Sequence, residues 1–364
     1  MSDPYQEEVI SIVNSLFEVT QFNKGVYSLE FRIEDDNFKS KFEYLARKLE
    51  GINYVCKIEQ MENGKYIIIQ RFPVKKQRKW LNASWIPRIL FGIVVTFVMI
   101  DGYYRTINLN KIDFINLGDP YYVAGIYTLS LLGILGIHES GHLIAAKVHK
   151  LKTTWPFFIP GIPYYGFLPT FGAFIQSRGL TINREILFDV AIAGPIAGLV
   201  VAIIVSLYGA YTAPMIESGL VSSEHSLIEF TMGEPLLFKG ALALFGKGGE
   251  GHEVLMTPIL WAAWIGFLIT FLNLLPAWQL DGGHMARTLL GPKLHRYATF
   301  GSMAILVLLG YWIMAMLILI MSARNPSANP LDDISPLTKN RKMIYIGVIV
   351  LAILCAPLPA NFLP

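Results

Sequence analysis

The first 80 residues switch between two periodicities. Val9, Ile12, Val13 and Leu16 recur at helical spacing, and Phe38 to Leu49 carries a second helical face. Val26 to Ile33 alternates as a strand would. Tyr54 to Ile58 and Lys65 to Gln70 read as a hairpin whose connection contains Asn63-Gly64, a strong turn signal. The stretch predicts a small soluble α+β domain over residues 1–80, with part of a ferredoxin-like pattern. It holds no acid–base cluster, so its expected role is regulation, substrate docking or assembly.

Beyond it the pattern becomes apolar. Segments 85–104, 121–147, 183–210, 256–275, 297–321 and 342–358 each approach the ~20 residues needed to cross a bilayer. Arg88 interrupts the first, but an arginine near a span end can snorkel. The basic run Arg71, Lys75, Lys76, Arg78 and Lys79 precedes them and reads as a cytoplasmic anchor. Six spans from that start put both termini inside. The loop from Tyr211 to Thr257 carries Glu217, Glu224, Glu229, Glu234, Glu250 and Glu253 against Lys239 and Lys247, which suits the outer side. The link between spans five and six conflicts with this scheme, because Arg324, Lys339, Arg341 and Lys342 fall on what should be the outer face. Residues 151–181 are apolar but broken by Pro156, Pro160, Pro163 and Pro169, so no continuous helix fits. Irregular backbone at membrane depth belongs in the wall of a wet cleft.

Composition narrows the class. Hydrophobic residues make up 53% of the 364 and charged residues 16%, which excludes a disordered chain and an ordinary soluble enzyme. A net charge of +3 gives no footing for nucleic acid. Cys56 and Cys355 lie in segments of opposite character, so neither a disulfide nor a cysteine metal site is expected. The opening MSDPYQEE has no secretory or transit pattern, so targeting is expected from the spans themselves.

The chemistry concentrates in two places. His138-Glu139-Ser140-Gly141-His142 lies inside the second span. On a helix, positions i and i+4 stand about 40° apart around the axis, so both imidazoles can reach one Zn2+ ion. Glu139 adjoins the metal without ligating it and can take a proton from the attacking water. Two histidines and a glutamate in lipid are costly, and such residues usually face a cavity and do chemistry. Catalytic zinc wants a third protein ligand. Asp281, in Leu280-Asp281-Gly282-Gly283-His284, is the favoured one, with His284 and the more distant Asp101 as competitors. Asn273, ahead of Pro276, could donate an amide hydrogen to a developing oxyanion, or could instead tie helices together. Gly194 and Gly198 read as a close-packing pair. His149, His225, His252 and His295 read as loop or interface histidines. Gly172-Ala173-Phe174-Ile175, within the proline-broken stretch, suits an edge strand that pairs with an unwound substrate, or a plug of the cavity.

These residues resemble the site-2 proteases, the zinc intramembrane proteases of the M50 class. The matching pieces are His138-Glu139-Ser140-Gly141-His142 and Asn273-Leu274-Leu275-Pro276-Ala277-Trp278-Gln279-Leu280-Asp281-Gly282-Gly283, with Gly172-Ala173-Phe174-Ile175 and Ala193-Gly194-Pro195-Ile196-Ala197-Gly198 between them. The resemblance covers roughly residues 120–292. It implies His138, His142 and Asp281 as zinc ligands, Glu139 as catalytic base and Asn273 as a transition-state donor. The outer loop is too short for the PDZ domain of bacterial members. The N-terminal soluble domain is similar to the archaeal and plastid groups.

The expected fold class is thus an all-α polytopic membrane protein of about six transmembrane helices, residues 81–364, with the small α+β domain in front. The expected activity is hydrolysis of peptide bonds in transmembrane segments of membrane-protein substrates. The expected setting is a cell membrane, with the N-terminal domain and active site toward the cytoplasm and self-association left open. The rival readings are a membrane zinc hydrolase of lipid or small molecules and a non-catalytic metal-containing scaffold.

Overall fold

A computed structural model describes residues 5–72, 85–112, 115–163, 168–174, 181–217, 233–247, 252–324 and 329–358. The N-terminal part runs α1 (Gln6–Leu16), β1 (Val19–Lys24), β2 (Ser28–Ile33), α2 (Phe38–Gly51), β3 (Tyr54–Met61) and β4 (Gly64–Arg71). Its four strands form an antiparallel sheet in the order β1-β2-β4-β3. The helices bury Val9, Val13, Phe42, Leu45 and Leu49 against Phe31, Ile58 and Ile67 of the sheet. Strand β1 is not apparent from the sequence, because five of its six residues face solvent and no alternation marks it. Val26 and Tyr27 stand exposed in the β1–β2 turn instead of opening a strand. The element order αββαββ also differs from the ferredoxin-like βαββαβ arrangement.

The remainder is mostly helical. Among the described residues, three helices are long and apolar enough to cross a membrane: α3 (Trp85–Asn110), α4 (Pro120–Val148) and α5 (Arg184–Thr212). Asp119 caps α4, with Pro120 at its first turn, and Asn183 caps α5 by accepting the Ile186 N–H at 2.9 Å. Between α4 and α5 lies a hairpin of β5 (Phe157–Pro160) and β6 (Thr170–Phe174), in the proline-broken stretch. After α5 come β7 (Met215–Glu217), α6 (Leu236–Leu244) and β8 (His252–Val254), then α7 (Pro258–Leu274). Nearly every residue of α7 is buried, as befits a helix surrounded by neighbours. Its 17 residues rise only about 26 Å. In the bundle interior, the Asp101 carboxylate of α3 accepts from Tyr127 Oη and Arg105 Nε, each at 2.7 Å, and the Arg105 guanidinium lies 4.3 Å from the Trp261 ring centre. Asp101 therefore joins α3 to α4 and, among the described residues, is in no cluster of metal-type ligands.

The fifth expected span is not one helix. Helix α8 (Asp281–Leu308) is broken at Gly291 (φ 74°) ahead of Pro292, and it ends before Gly310 (φ 86°). Helix α9 (Trp312–Arg324) then returns alongside it, so that Phe300, Met303 and Val307 share one groove with Trp312, Met316 and Leu319. This reversal brings the following link back to the N-terminal domain. Ile58 N–H donates to Leu331 O at 3.0 Å, Leu331 N–H to Thr181 O at 3.0 Å and Asp332 N–H to Ile182 O at 2.7 Å. Leu331, Ile182 and Ile186 complete the N-terminal domain's core. Lys39 meets Glu185 at 2.8 Å, and Arg47 donates to His149 O at 3.1 Å. Helix α10 (Lys339–Cys355) starts at this end, where Arg341 forks onto Asp189 at 2.7 Å. It finishes at the other end, where Glu234 N–H donates to Leu358 O at 3.1 Å. The domain and Leu358 thus lie at opposite ends of the bundle. The α8–α9 reversal produces this arrangement, and a continuous apolar stretch conceals it.

Candidate metal centre

Helix α4 projects His138 and His142 from the same face, one turn apart, toward α5. His142 Nδ1 lies 2.8 Å from Val190 O. A carbonyl can only accept, so Nδ1 carries the proton and Nε2 is left as a bare lone pair. Asp281 reaches the same point from α8. The chain leaves α7 at Leu275, passes Pro276 and the left-handed Trp278 (φ 44°), and starts α8 with Asp281 at its first turn. The Trp278 N–H donates to Thr299 Oγ1 at 3.0 Å and fixes this reversal. Its tightness demands the two glycines that follow, since a Cβ on Gly282 would stand 2.1 Å from Leu274 O and one on Gly283 2.3 Å from Ala277 O.

Three ligand atoms therefore converge. Nε2 of His138 and Nε2 of His142 are 3.2 Å apart, and each is 3.3 Å from Asp281 Oδ2. Tetrahedral zinc with ligands at ~2.0–2.1 Å separates them by about 3.3–3.4 Å. The triangle thus matches zinc in both size and donor type, and it leaves one corner of the tetrahedron for a water or substrate oxygen. Among the described residues, this is the cluster of three metal-type ligands that comes together. His284 does not enter it.

The other sequence-predicted residues fall around this centre. Glu139 is 7% exposed and lies within electrostatic reach of His138, His142 and Asp281. The Asn273 amide nitrogen, near the end of α7, is 3.5 Å from His138 Nε2. Gly172 (φ 93°) and Ala173 lie in β6, beside α4, and Phe174 closes that strand opposite Phe157. Ile175 lies outside the described residues. His149 is an interface histidine, with Nε2 3.2 Å from Asp189.

Gly194 and Gly198 do more than let helices approach. A Cβ at Gly194 would sit 2.1 Å from His142 Nε2, and one at Gly198 2.9 Å from His138 Cβ. Helix α5 thus forms the back wall behind His138 and His142. Sequence spacing marks such glycines as packing sites but cannot say which side chain occupies the space. The Val190 carbonyl has no sequence signal at all.

A His–His–Asp triangle with a buried glutamate beside it, set inside an apolar helical bundle, is a candidate centre of the metallohydrolase type. A family model described as Peptidase family M50 matches residues 126–317, more than half of the chain, and the chain belongs to that family. It is 30% identical over 242 residues to "Probable zinc metalloprotease EGY2, chloroplastic" of Arabidopsis thaliana, covering 63% of this chain and 41% of that protein. The protein of that name from Oryza sativa subsp. indica is 28% identical over 295 residues, 77% of this chain and 51% of its own length. "Probable zinc metalloprotease EGY1, chloroplastic" of Arabidopsis thaliana is 28% identical over 238 residues, 63% and 42% of the two chains. The chain spans about half the length of the curated relatives it matches. No solved structure matches it.

Proposed function

We propose that this protein is an intramembrane zinc metalloprotease that hydrolyses peptide bonds in transmembrane segments of other membrane proteins. The observation that carries the reading is the 3.2–3.3 Å triangle of His138, His142 and Asp281 within an apolar bundle, with Glu139 buried beside it. A zinc ion there would lower the pKa of its water toward ~7 and polarise a scissile carbonyl. Glu139 takes the proton of the attacking water and returns it to the leaving amine. The Asn273 amide donates to the carbonyl oxygen as negative charge develops on it. Val190 holds the His142 ring in the tautomer that the ligand role needs.

The substrate helix must unwind first, since a helical peptide bond hides its carbonyl in the hydrogen-bond ladder. Strand β6 supports that step. It pairs with β5 along one edge and lies beside the zinc helix. We assign its other edge, at Gly172, Ala173 and Phe174, the capture of the unwound segment by backbone pairing. Each bare polar group in hydrocarbon costs several kcal/mol, and pairing removes that cost.

The two ends of the bundle support an orientation in the membrane. Lys147, Lys150 and Lys152 mark one end of α4, and Tyr121 and Tyr122 mark the other, beside Tyr103 and Tyr104 of α3. Basic residues favour the cytoplasmic interface and tyrosines either interface. Tyr121 stands about 25 Å from His138 along α4, and His142 about 8 Å from Lys147, so the centre lies near the basic side. We read α3, α4, α5, α7, the α8–α9 hairpin and α10 as the membrane domain of residues 81–364. Residues 1–80 form a regulatory or docking domain on the cytoplasmic side. We assign the protein to a cell membrane; the relatives' names place those proteins in the chloroplast.

The test is reconstitution of the purified protein into vesicles with a single-span reporter, followed by mass spectrometry of the products. Cleavage within the reporter's span, abolished by zinc chelation and restored by zinc, supports the reading. Intact reporter alongside hydrolysed lipid would favour the rival lipid hydrolase.

A further inference from the structure

Helix α8 carries Asp281 on a short lever. Its first segment is bounded by the tight reversal at Leu275–Leu280 and by the break at Gly291, so it spans only about 15 Å. Arg287 sits midway along it, 1% exposed. Six positions on from Asp281 is about 240° around the helix, so Arg287 faces away from the metal centre. Its guanidinium grips the link that follows α9. Nη1 donates to Asp333 Oδ1 at 3.1 Å, Nη2 to Asp333 Oδ2 at 2.6 Å and to Asn329 Oδ1 at 2.9 Å. Arg184, in the first turn of α5, holds the same carboxylate at 3.0 Å and also donates to the Asp333 carbonyl.

The link is held in turn by the N-terminal domain. Leu331 and Asp332 lie between β3 and the start of α5, bridged to Ile58 on one side and to Asn183 on the other. Asp332 Oδ1 accepts from Ser335 N–H at 2.9 Å and Ile334 N–H at 3.2 Å, which shapes the link into a turn. An unbroken chain of contacts therefore runs from β3 through Leu331–Asp333 to Arg287 and along one rigid helical segment to Asp281. A buried arginine is expensive unless it is paired and hydrogen-bonded. A hydrophobic residue would fill this site at lower cost if packing were its sole task.

We propose that Arg287 is a positioning residue for the metal centre: through Asp333 it fixes the first segment of α8, and docking of the N-terminal domain on the link thereby sets where the Asp281 carboxylate stands. This rests on the reading of His138, His142 and Asp281 as the metal site. The N-terminal domain then acts on the centre without touching it, and its undocking loosens the third ligand while both histidines stay in place.

The test uses the full chain in detergent, loaded with cobalt(II) in place of zinc, because the visible absorption of cobalt reports coordination geometry without any need for turnover. Three variants are compared with wild type: Arg287→Met, which removes the grip; Arg287→Lys, which keeps the charge but not the fork; and Ile58→Pro, which removes the one N–H given to Leu331. The Ile58 N–H points away from β4, so that pairing survives in the last variant. Zinc affinity is read in parallel by competition with a chelator. The expected result is a weakened and shifted cobalt spectrum for all three, with zinc affinity reduced about 10–100-fold in Arg287→Met, as for loss of groups that orient a ligand, and less in Arg287→Lys. Circular dichroism selects folded samples, and if Arg287→Met does not fold, Arg287→Lys and Ile58→Pro decide. Wild-type spectra and affinities in the folded variants overturn the proposal. A wild-type protein that binds neither metal overturns the metal-site reading, and the proposal with it.

Discussion

A single methyl group at position 194 should test the metal centre from behind. The Cβ of Gly194→Ala would lie 2.1 Å from His142 Nε2, 2.5 Å from Cδ2 and 2.6 Å from Cε1. Comfortable contact needs about 3.5 Å, so the ring or the helix must move by more than about 1 Å. The ring has little freedom to do so, because its Nδ1 is fastened to Val190 O at 2.8 Å. Metal–ligand distances tolerate only about 0.2 Å. The expected outcome is loss of zinc affinity by at least about 100-fold, the upper end of what disturbed ligand-orienting groups cost. The fold should suffer far less: alanine gains about 1 kcal/mol over glycine in a helix, against an overpacking cost of about 1–3 kcal/mol. Gly198→Ala, at 2.9 Å from His138 Cβ, should be milder. Gly136→Ala, with open space around its Cβ, should be neutral or stabilising. Metal analysis and chelator competition on the three purified variants, with melting curves taken without metal, give the ranking. Wild-type zinc affinity in Gly194→Ala would refute the reasoning, because so close a contact cannot coexist with a ligating His142.

Three further outcomes follow from the same geometry. Asp281→Ala should empty or greatly weaken the zinc site while His284→Ala keeps most of its metal, since His284 stands outside the triangle; the reverse pattern in metal analysis would give the third ligand to His284. Cys56 is buried with its thiol pushed up to about 12, and Cys355 is buried too. With both replaced by serine, single cysteines at Lys152 and Lys339 should label from one side of sealed vesicles and one at Glu253 from the other, whereas six simple spans would put 339 with 253. Proline removes a backbone donor, and only alternate N–H groups of a strand face the same edge. Proline at 173 and at 174 should therefore impair cleavage unequally with zinc retained, and undiminished cleavage by both would leave the hairpin as a plug.

The residues that converge in the candidate site were legible in the sequence, and the path of the later helices was not. His138, Glu139 and His142 are legible because helical spacing and an apolar setting converge on one chemistry, and Asp281 because a carboxylate between an apolar run and paired glycines has few other uses. The helices α3, α4, α5, α7 and α10 follow from unbroken apolar length. The reversal at Gly310 does not, since one glycine in an apolar stretch is as compatible with a straight helix as with a turn. The docking of Leu331–Asp333 on β3 is a contact between segments far apart in the chain, and no local pattern encodes it. Strand β1 lacked a signal because its side chains face water. The basic residues Arg324, Lys339, Arg341 and Lys342 did hold a clue: they conflict with a six-span scheme, and the link that follows α9 packs against the N-terminal domain.

The central claim is that a zinc centre held by His138, His142 and Asp281 works through Glu139 on a peptide bond in the membrane. The measurement that tests it most directly compares wild type with Glu139→Gln in vesicles containing a single-span reporter, with zinc content determined on the same samples. The side chain changes by one atom and lies outside the ligand triangle. The account predicts one zinc per chain in both proteins, cleavage by wild type and none by Glu139→Gln. Cleavage near the wild-type rate by a zinc-loaded Glu139→Gln would contradict it.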